Sequence, residues 1–154
     1  MAFTLSSSAF ADGGTIPKLF TCDDRDLSPS MEWEGAPAGT ISFALICDDP
    51  DAPGGSWVHW VLYNIPAETR RLPQGLAARE SLAAGSLQGP SDFGRPGYGG
   101  PCPPPGRPHR YVFTLYALNL APNLAPGLAK PGLLRAMAGH ILAQTELTGL
   151  YGRG

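Results

Sequence analysis

The sequence predicts a mainly β protein, a sandwich or barrel with long loops. Three short runs rich in aliphatic and aromatic residues, Ile41 to Cys47, Trp57 to Ile65 and Tyr111 to Leu118, are each bounded by Pro, Gly, Asp or Asn. The chain holds 20 Gly and 17 Pro, which fall in small clusters between the apolar runs and read as turns and loops. Helical periodicity is clear in one segment only, near the C-terminus.

Taken in order, weaker strands are expected near Phe3 to Leu5, Lys18 to Thr21 and Met31 to Trp33, followed by the first two strong strands. The Ala-rich stretch Leu76 to Leu87 allows a short helix, which Gly85 weakens. Gly89 to Pro108 is a Gly/Pro-rich loop far longer than an ordinary connection. Proline restricts φ and lowers the entropy lost on ordering, so the segment reads either as a stiff loop that places backbone amides or as a floppy insertion. The third strong strand follows. From Pro131 to Leu147, apolar residues at Leu133, Leu134, Met137, Ala138, Ile141 and Leu142 predict a C-terminal helix. Pro131 suits its first position and Gly149 its stop. His140 within it reads as structural or solvated.

At 154 residues the chain has the size of one domain, 1–154, with enough length to bury a core. A charged fraction of 16% argues against a charge-rich disordered chain. The net charge of −2 and the scattered Lys and Arg leave no basic stripe for nucleic acid. No apolar run approaches the roughly 18 residues of a membrane span. Met1 to Phe10 lacks the basic and apolar regions of a signal peptide, so a cytoplasmic location is expected. Cys22, Cys47 and Cys102 fit a reducing compartment better than a disulfide framework, and their spacing matches no common zinc motif.

Two clusters carry the candidate chemistry. The first is Asp48-Asp49-Pro50-Asp51-Ala52-Pro53, then Gly54-Gly55-Ser56, then Trp57-Val58-His59-Trp60. The second is Gly99-Gly100-Pro101-Cys102-Pro103-Pro104-Pro105-Gly106, then Pro108-His109-Arg110-Tyr111. Residues i and i+2 of a strand share a face, so Trp57 pairs with His59 and His109 with Tyr111, each pair at the start of a strand. If those strand ends are neighbours, two imidazoles, a phenol and an indole converge and can hydrogen-bond an anion. Asp49 could accept a proton from one imidazole and fix its tautomer. The same groups also admit a zinc site or an acid–base pair, whereas no G-x-S-x-G nucleophile motif exists. Cys102 could turn its Sγ toward the same pocket.

Both clusters resemble the signature blocks of the phosphatidylethanolamine-binding proteins, also called Raf kinase inhibitor proteins, and are most similar to the shorter bacterial and archaeal branch. Ile16-Pro17 through Phe20-Thr21-Cys22-Asp23, Leu27-Ser28-Pro29 and Val61-Leu62-Tyr63-Asn64-Ile65-Pro66 resemble that branch too, so the likeness runs from about Phe3 to Leu147. It implies a Greek-key β-sandwich with a C-terminal helix and a small surface cavity for phosphate-like or carboxylate groups. By motif position the cavity residues would be Asp49, Trp57, His59, Gly100, Pro101, His109 and Tyr111. It also implies a cis Ala52–Pro53 bond, phospholipid head groups or proteins as partners, and a tendency to homodimers. The segment Gly54-Gly55-Ser56 is shorter than the eukaryotic insertion, so the extra contacts of that insertion do not carry over.

The expected function is therefore a small binding or regulatory module with an anion pocket, not an enzyme, and with no cofactor or metal. The alternatives are a metal-assisted hydrolase using His59, His109 and Asp49, or a protein-interaction subunit whose pocket is vestigial.

Overall fold

The computed structural model describes residues 1–154. Eight strands, β1 (Thr4–Ser6), β2 (Met31–Glu34), β3 (Ser42–Asp49), β4 (Trp57–Pro66), β5 (Arg71–Leu72), β6 (Leu87–Gln88), β7 (His109–Leu118) and β8 (Ile141–Tyr151), accompany one helix, α1 (Lys130–Met137). They form a three-stranded sheet in the order β1-β2-β5 and a five-stranded sheet in the order β6-β4-β3-β7-β8. Every pairing is antiparallel. Strands β3, β4 and β6 are successive neighbours, and β7 returns by a long connection to lie beside β3, which is a Greek key. No helix is long and apolar enough to cross a membrane.

The apolar run in β3 is continuous because both of its faces are covered. Phe43, Leu45 and Cys47 meet Leu5, Met31, Trp33 and Leu72 of the small sheet, together with Trp60, Leu62, Phe113 and Leu115. Ala44 and Ile46 point the other way, into a second cluster with Val61, Tyr63, Leu118 and the helix residues Leu133 and Met137. A strand buried on two faces loses the alternation that a half-exposed strand shows. β2 keeps that alternation, with Met31 and Trp33 buried and Glu32 and Glu34 exposed.

Four sequence expectations are corrected. The helix expected over Pro131 to Leu147 stops at Met137; Gly139 takes φ 81°, and the rest of the segment becomes β8. Leu133 and Met137 anchor the helix in the core, whereas Ile141 and Leu142 are strand residues that stay partly exposed. Pairing along β7, from Leu118↔Ile141 to His109↔Tyr151, outweighs a helical spacing that depends on so few residues. The second correction concerns two short segments: Lys18–Phe20 is a single 3₁₀ turn and not a strand, and the Leu76 to Leu87 stretch holds no α-helix, only the 3₁₀ turn Ala83–Gly85 before β6 begins.

The third correction concerns Ala52–Pro53, which is trans, since the chain has no cis peptide bond. Gly54 at φ 80° and the hydrogen bond from Gly55 N–H to the Ala52 carbonyl (3.1 Å) make a turn with Pro53 second and Gly54 third. That is the type II arrangement, which needs a trans proline and a residue tolerating positive φ, so the two glycines remove any need for a cis bond.

The fourth concerns the cysteines. Cys22 and Cys102, 80 residues apart, form a disulfide, and only Cys47 is free, buried in the core. The reading of three reduced thiols fails because spacing along the chain says nothing about which loops lie side by side. The long Gly/Pro loop is also tied down elsewhere. Gly99 N–H donates to the His59 carbonyl (3.0 Å), Gly100 N–H to Asp26 Oδ1 (2.8 Å), and Cys22 N–H to the Pro101 carbonyl (3.1 Å).

Candidate functional site

Strands β4, β3 and β7 are adjacent, and their registers set Asp49 opposite Trp57 and Asp48 opposite Val112. The last residue of β3 and the first few of β4 and β7 therefore meet at one end of the sheet. Period-two alternation then turns Asp49, Trp57, His59, His109 and Tyr111 into a single cavity of about 280 Å³. Ala52, Pro53, Phe93, Cys102, Pro103 and Pro104 complete its wall.

Hydrogen bonds fix the polarity of each group. Asp49 is almost fully buried and uses both oxygens: Oδ1 accepts from the Asp51 N–H (2.8 Å), and Oδ2 accepts from His109 Nδ1 (2.7 Å). A carboxylate can only accept, so His109 carries its proton on Nδ1. His59 is equally buried, and its Nδ1–H donates to the Gly99 carbonyl (2.6 Å). Its ring stands edge-on to Phe93 and Tyr111, with centroids 5.3 and 5.1 Å away. Burial pushes its pKa below the usual histidine value, against the opposing pull of the Gly99 carbonyl and the nearby Asp49, Asp26 and Asp48 carboxylates.

Tyr111 is 1% exposed, and its hydroxyl has no partner in the protein. Burial first, and the Asp49 charge second, push its pKa well above the ordinary phenol value, so it is a neutral O–H donor. Trp57 stands half out of the rim, edge-on to Phe93 at 5.5 Å.

Outside the cavity, Asp51 holds Arg110 through both carboxylate oxygens, at 2.8 and 3.0 Å. These bonds lower the Asp51 pKa to about 2. The pair fixes the start of β7 against the turn that follows β3.

Gly100 and Pro101 lie behind the wall. A Cβ on Gly100 would collide with the Phe20 carbonyl, and the Pro101 carbonyl accepts the Cys22 N–H. Both residues position the loop that carries Cys102, Pro103 and Pro104. Sequence reasoning missed Phe93, which touches both His59 and Trp57. Its only signal was that it is one of two aromatic residues, with Tyr98, in a Gly/Pro-rich stretch.

The depressed His59 pKa has a consequence for stability. Well above about pH 6.5 neither the folded nor the unfolded ring is charged, so this contribution is complete. As pH falls through that value the unfolded ring takes a proton and the folded ring resists, so stability is lost. Urea unfolding at pH 7.5 and 5.5 should show wild type losing stability and His59→Asn losing less. An equal loss in both would remove His59 from the account. The ion-paired Asp23 and Asp51, both lowered to about 2, act in a separate window below about pH 4.

The family model described as phosphatidylethanolamine-binding protein matches residues 6–152. A UPF0098 protein of Methanothermobacter thermautotrophicus is 49% identical over 150 residues, covering 97% of this chain and 99% of the relative. A UPF0098 protein of Aquifex aeolicus is 48% identical over 149 residues, covering 96% and 86%. Among solved structures, the Chlamydia trachomatis homologue CT736 superposes with TM-score 0.90 at 37% identity, covering 99% of both chains. Escherichia coli YbcL, described as a member of the mammalian family, superposes with TM-score 0.91 at 34% identity over the full length of both.

Proposed function

This chain belongs to the phosphatidylethanolamine-binding protein family, and we propose that its cavity binds one small oxyanion, a phosphate-like or carboxylate group, without turning it over. The observation that carries this reading is Tyr111: its side chain lines the cavity, and its hydroxyl is buried, neutral and without a partner in the protein. An unsatisfied buried donor costs about 1–3 kcal/mol, so a protein that keeps one gains on binding an acceptor.

The surroundings favour the same ligand. The apolar wall of Phe93, Ala52, Pro53, Pro103 and Pro104 lowers the local dielectric, which strengthens a hydrogen bond made beside it. At about 280 Å³ the space is at the bottom of the range for small-molecule sites and suits one compact group. Asp49 does not oppose an anion strongly, because both of its oxygens are engaged by Asp51 and His109. Trp57, exposed at the rim, offers an aromatic edge to whatever carries the anionic group.

Titration calorimetry with inorganic phosphate at pH 7 tests this. A hydrogen bond to a charged group contributes about 1.5–3 kcal/mol, so Tyr111→Phe should weaken binding roughly ten- to a hundredfold with the fold intact. Equal affinity in wild type and Tyr111→Phe would leave the hydroxyl a structural oddity and end the proposal.

A further inference from the structure

We infer that the Cys22–Cys102 pair is a thiol–disulfide exchange site, which an external dithiol opens while the protein stays folded, with Arg153 holding the thiolate that departs. The inference does not depend on what the cavity binds.

Three observations separate this bond from a buried staple. Both cysteines are exposed, so a thiolate reaches them without unfolding the chain, and exposed disulfides are the more readily reduced kind. The Arg153 guanidinium lies against the bond, with Nη2 3.2 Å from Cys22 Sγ and 3.6 Å from Cys102 Sγ. A guanidinium gains little from a neutral sulfur and much from a thiolate, so it favours the opened pair. Asp23 Oδ1 shares Nη2 at 2.6 Å, but Nη2 carries two hydrogens and serves both partners, while the other oxygen of Asp23 also accepts from the Tyr151 hydroxyl. Finally, the loops stay joined when the bond opens. Cys22 N–H donates to the Pro101 carbonyl, Gly106 N–H to the Arg153 carbonyl (3.0 Å), and Arg153 Nη1 to the Pro103 carbonyl (3.3 Å).

The exchange runs in two steps. One thiolate of the dithiol attacks Cys102 Sγ, the S–S bond breaks, and its electron pair leaves on Cys22, the sulfur nearer Arg153. The second thiolate of the dithiol then attacks the dithiol sulfur of the mixed disulfide, closes a cyclic disulfide and expels Cys102 as a thiolate. Two electrons pass from the dithiol to the protein, and the two protons released by the dithiol go to the cysteines or to solvent. Re-oxidation by a cyclic disulfide reverses both steps. Because Cys102 lies in the cavity wall beside Pro103 and Pro104, opening the bond releases one tether of that wall.

Dithiothreitol added to the native protein without denaturant, followed by alkylation and mass mapping, reads this directly. Cys22 and Cys102 should be alkylated and Cys47 protected, because Cys47 is buried in the core and becomes reachable only on unfolding. No labelling until urea unfolds the chain, or Cys47 labelled in step with the other two, overturns the inference and leaves the bond a staple. The rate of opening tests Arg153. A departing thiol leaves faster as its pKa falls, so Arg153→Met should open about three- to tenfold more slowly than wild type, and Arg153→Lys, which keeps a cation, should recover part of the rate. A purely structural Arg153 predicts the opposite sign, because a loosened C-terminal segment leaves the bond more accessible. Opening in Arg153→Met as fast as in wild type, or faster, overturns the role given to Arg153.

Discussion

Replacing both Cys22 and Cys102 by Ser should lower the unfolding free energy by about 4.5 kcal/mol. The bond joins residues 80 apart, and the entropy removed from the unfolded chain by a loop of that length gives this figure. Losses of about 2–5 kcal/mol are usual when a native disulfide is removed from a small protein. The folded state should persist, because other contacts hold the same two loops together. Cys22 N–H donates to the Pro101 carbonyl, Gly100 N–H to Asp26, and the Arg153 guanidinium reaches both Asp23 and the Pro103 carbonyl. Urea unfolding of the double variant, and of wild type with and without a dithiol reductant, measures the effect. A loss below about 1 kcal/mol would mean that the bond contributes little beyond those contacts. Because Cys102 lines the cavity, phosphate titration of the reduced protein also reports how far the bond shapes the wall.

Asp49→Ala should be the most damaging single change at the site, and Asp49→Asn should separate its two roles. Alanine removes the acceptor for both the Asp51 N–H and the His109 Nδ1–H at a position almost closed to water. Each stranded donor costs about 1–3 kcal/mol, reduced for His109, which is partly accessible. A total near 3 kcal/mol is expected from urea unfolding. Asparagine can still accept from the Asp51 N–H through its oxygen, and it then turns its NH₂ toward His109. A neutral His109 must answer with an Nδ1 lone pair, which moves its hydrogen to Nε2 and gives the cavity an added donor. Most of the stability should return, and nitrogen chemical shifts of the imidazole should report the reversed tautomer. An unchanged tautomer in Asp49→Asn would show that the carboxylate does not orient this ring.

The parts legible from the chain are those that depend on short-range rules. Trp57 with His59, and His109 with Tyr111, share faces because strand side chains alternate with period two, whatever sheet the strand joins. The β3, β4 and β7 strands announced themselves through apolar runs between turn residues. The motif order identified the family, and with it the sandwich. Where a local signal was thin it misled: six apolar positions described a helix to Leu147, yet only Lys130–Met137 is helical.

The remainder was decided by contacts between residues far apart in the chain. Asp49 meets His109 across 60 residues, and Cys22 meets Cys102 across 80. Neither distance has a signature in spacing, because a loop's length does not say where its ends return. Phe93 reaches His59 only because Asp92 ties its loop to Val58, through its own N–H (2.9 Å) and through Oδ2 (2.7 Å). β8 exists because β7 offers a long unpaired edge, and hydrogen bonding along that edge outweighs a weak helical preference. The residue types and their faces were thus set by the chain itself. The partner of each polar group, and with it which ring nitrogen carries a hydrogen, was set by tertiary packing, since a hydrogen bond depends on where the second atom sits.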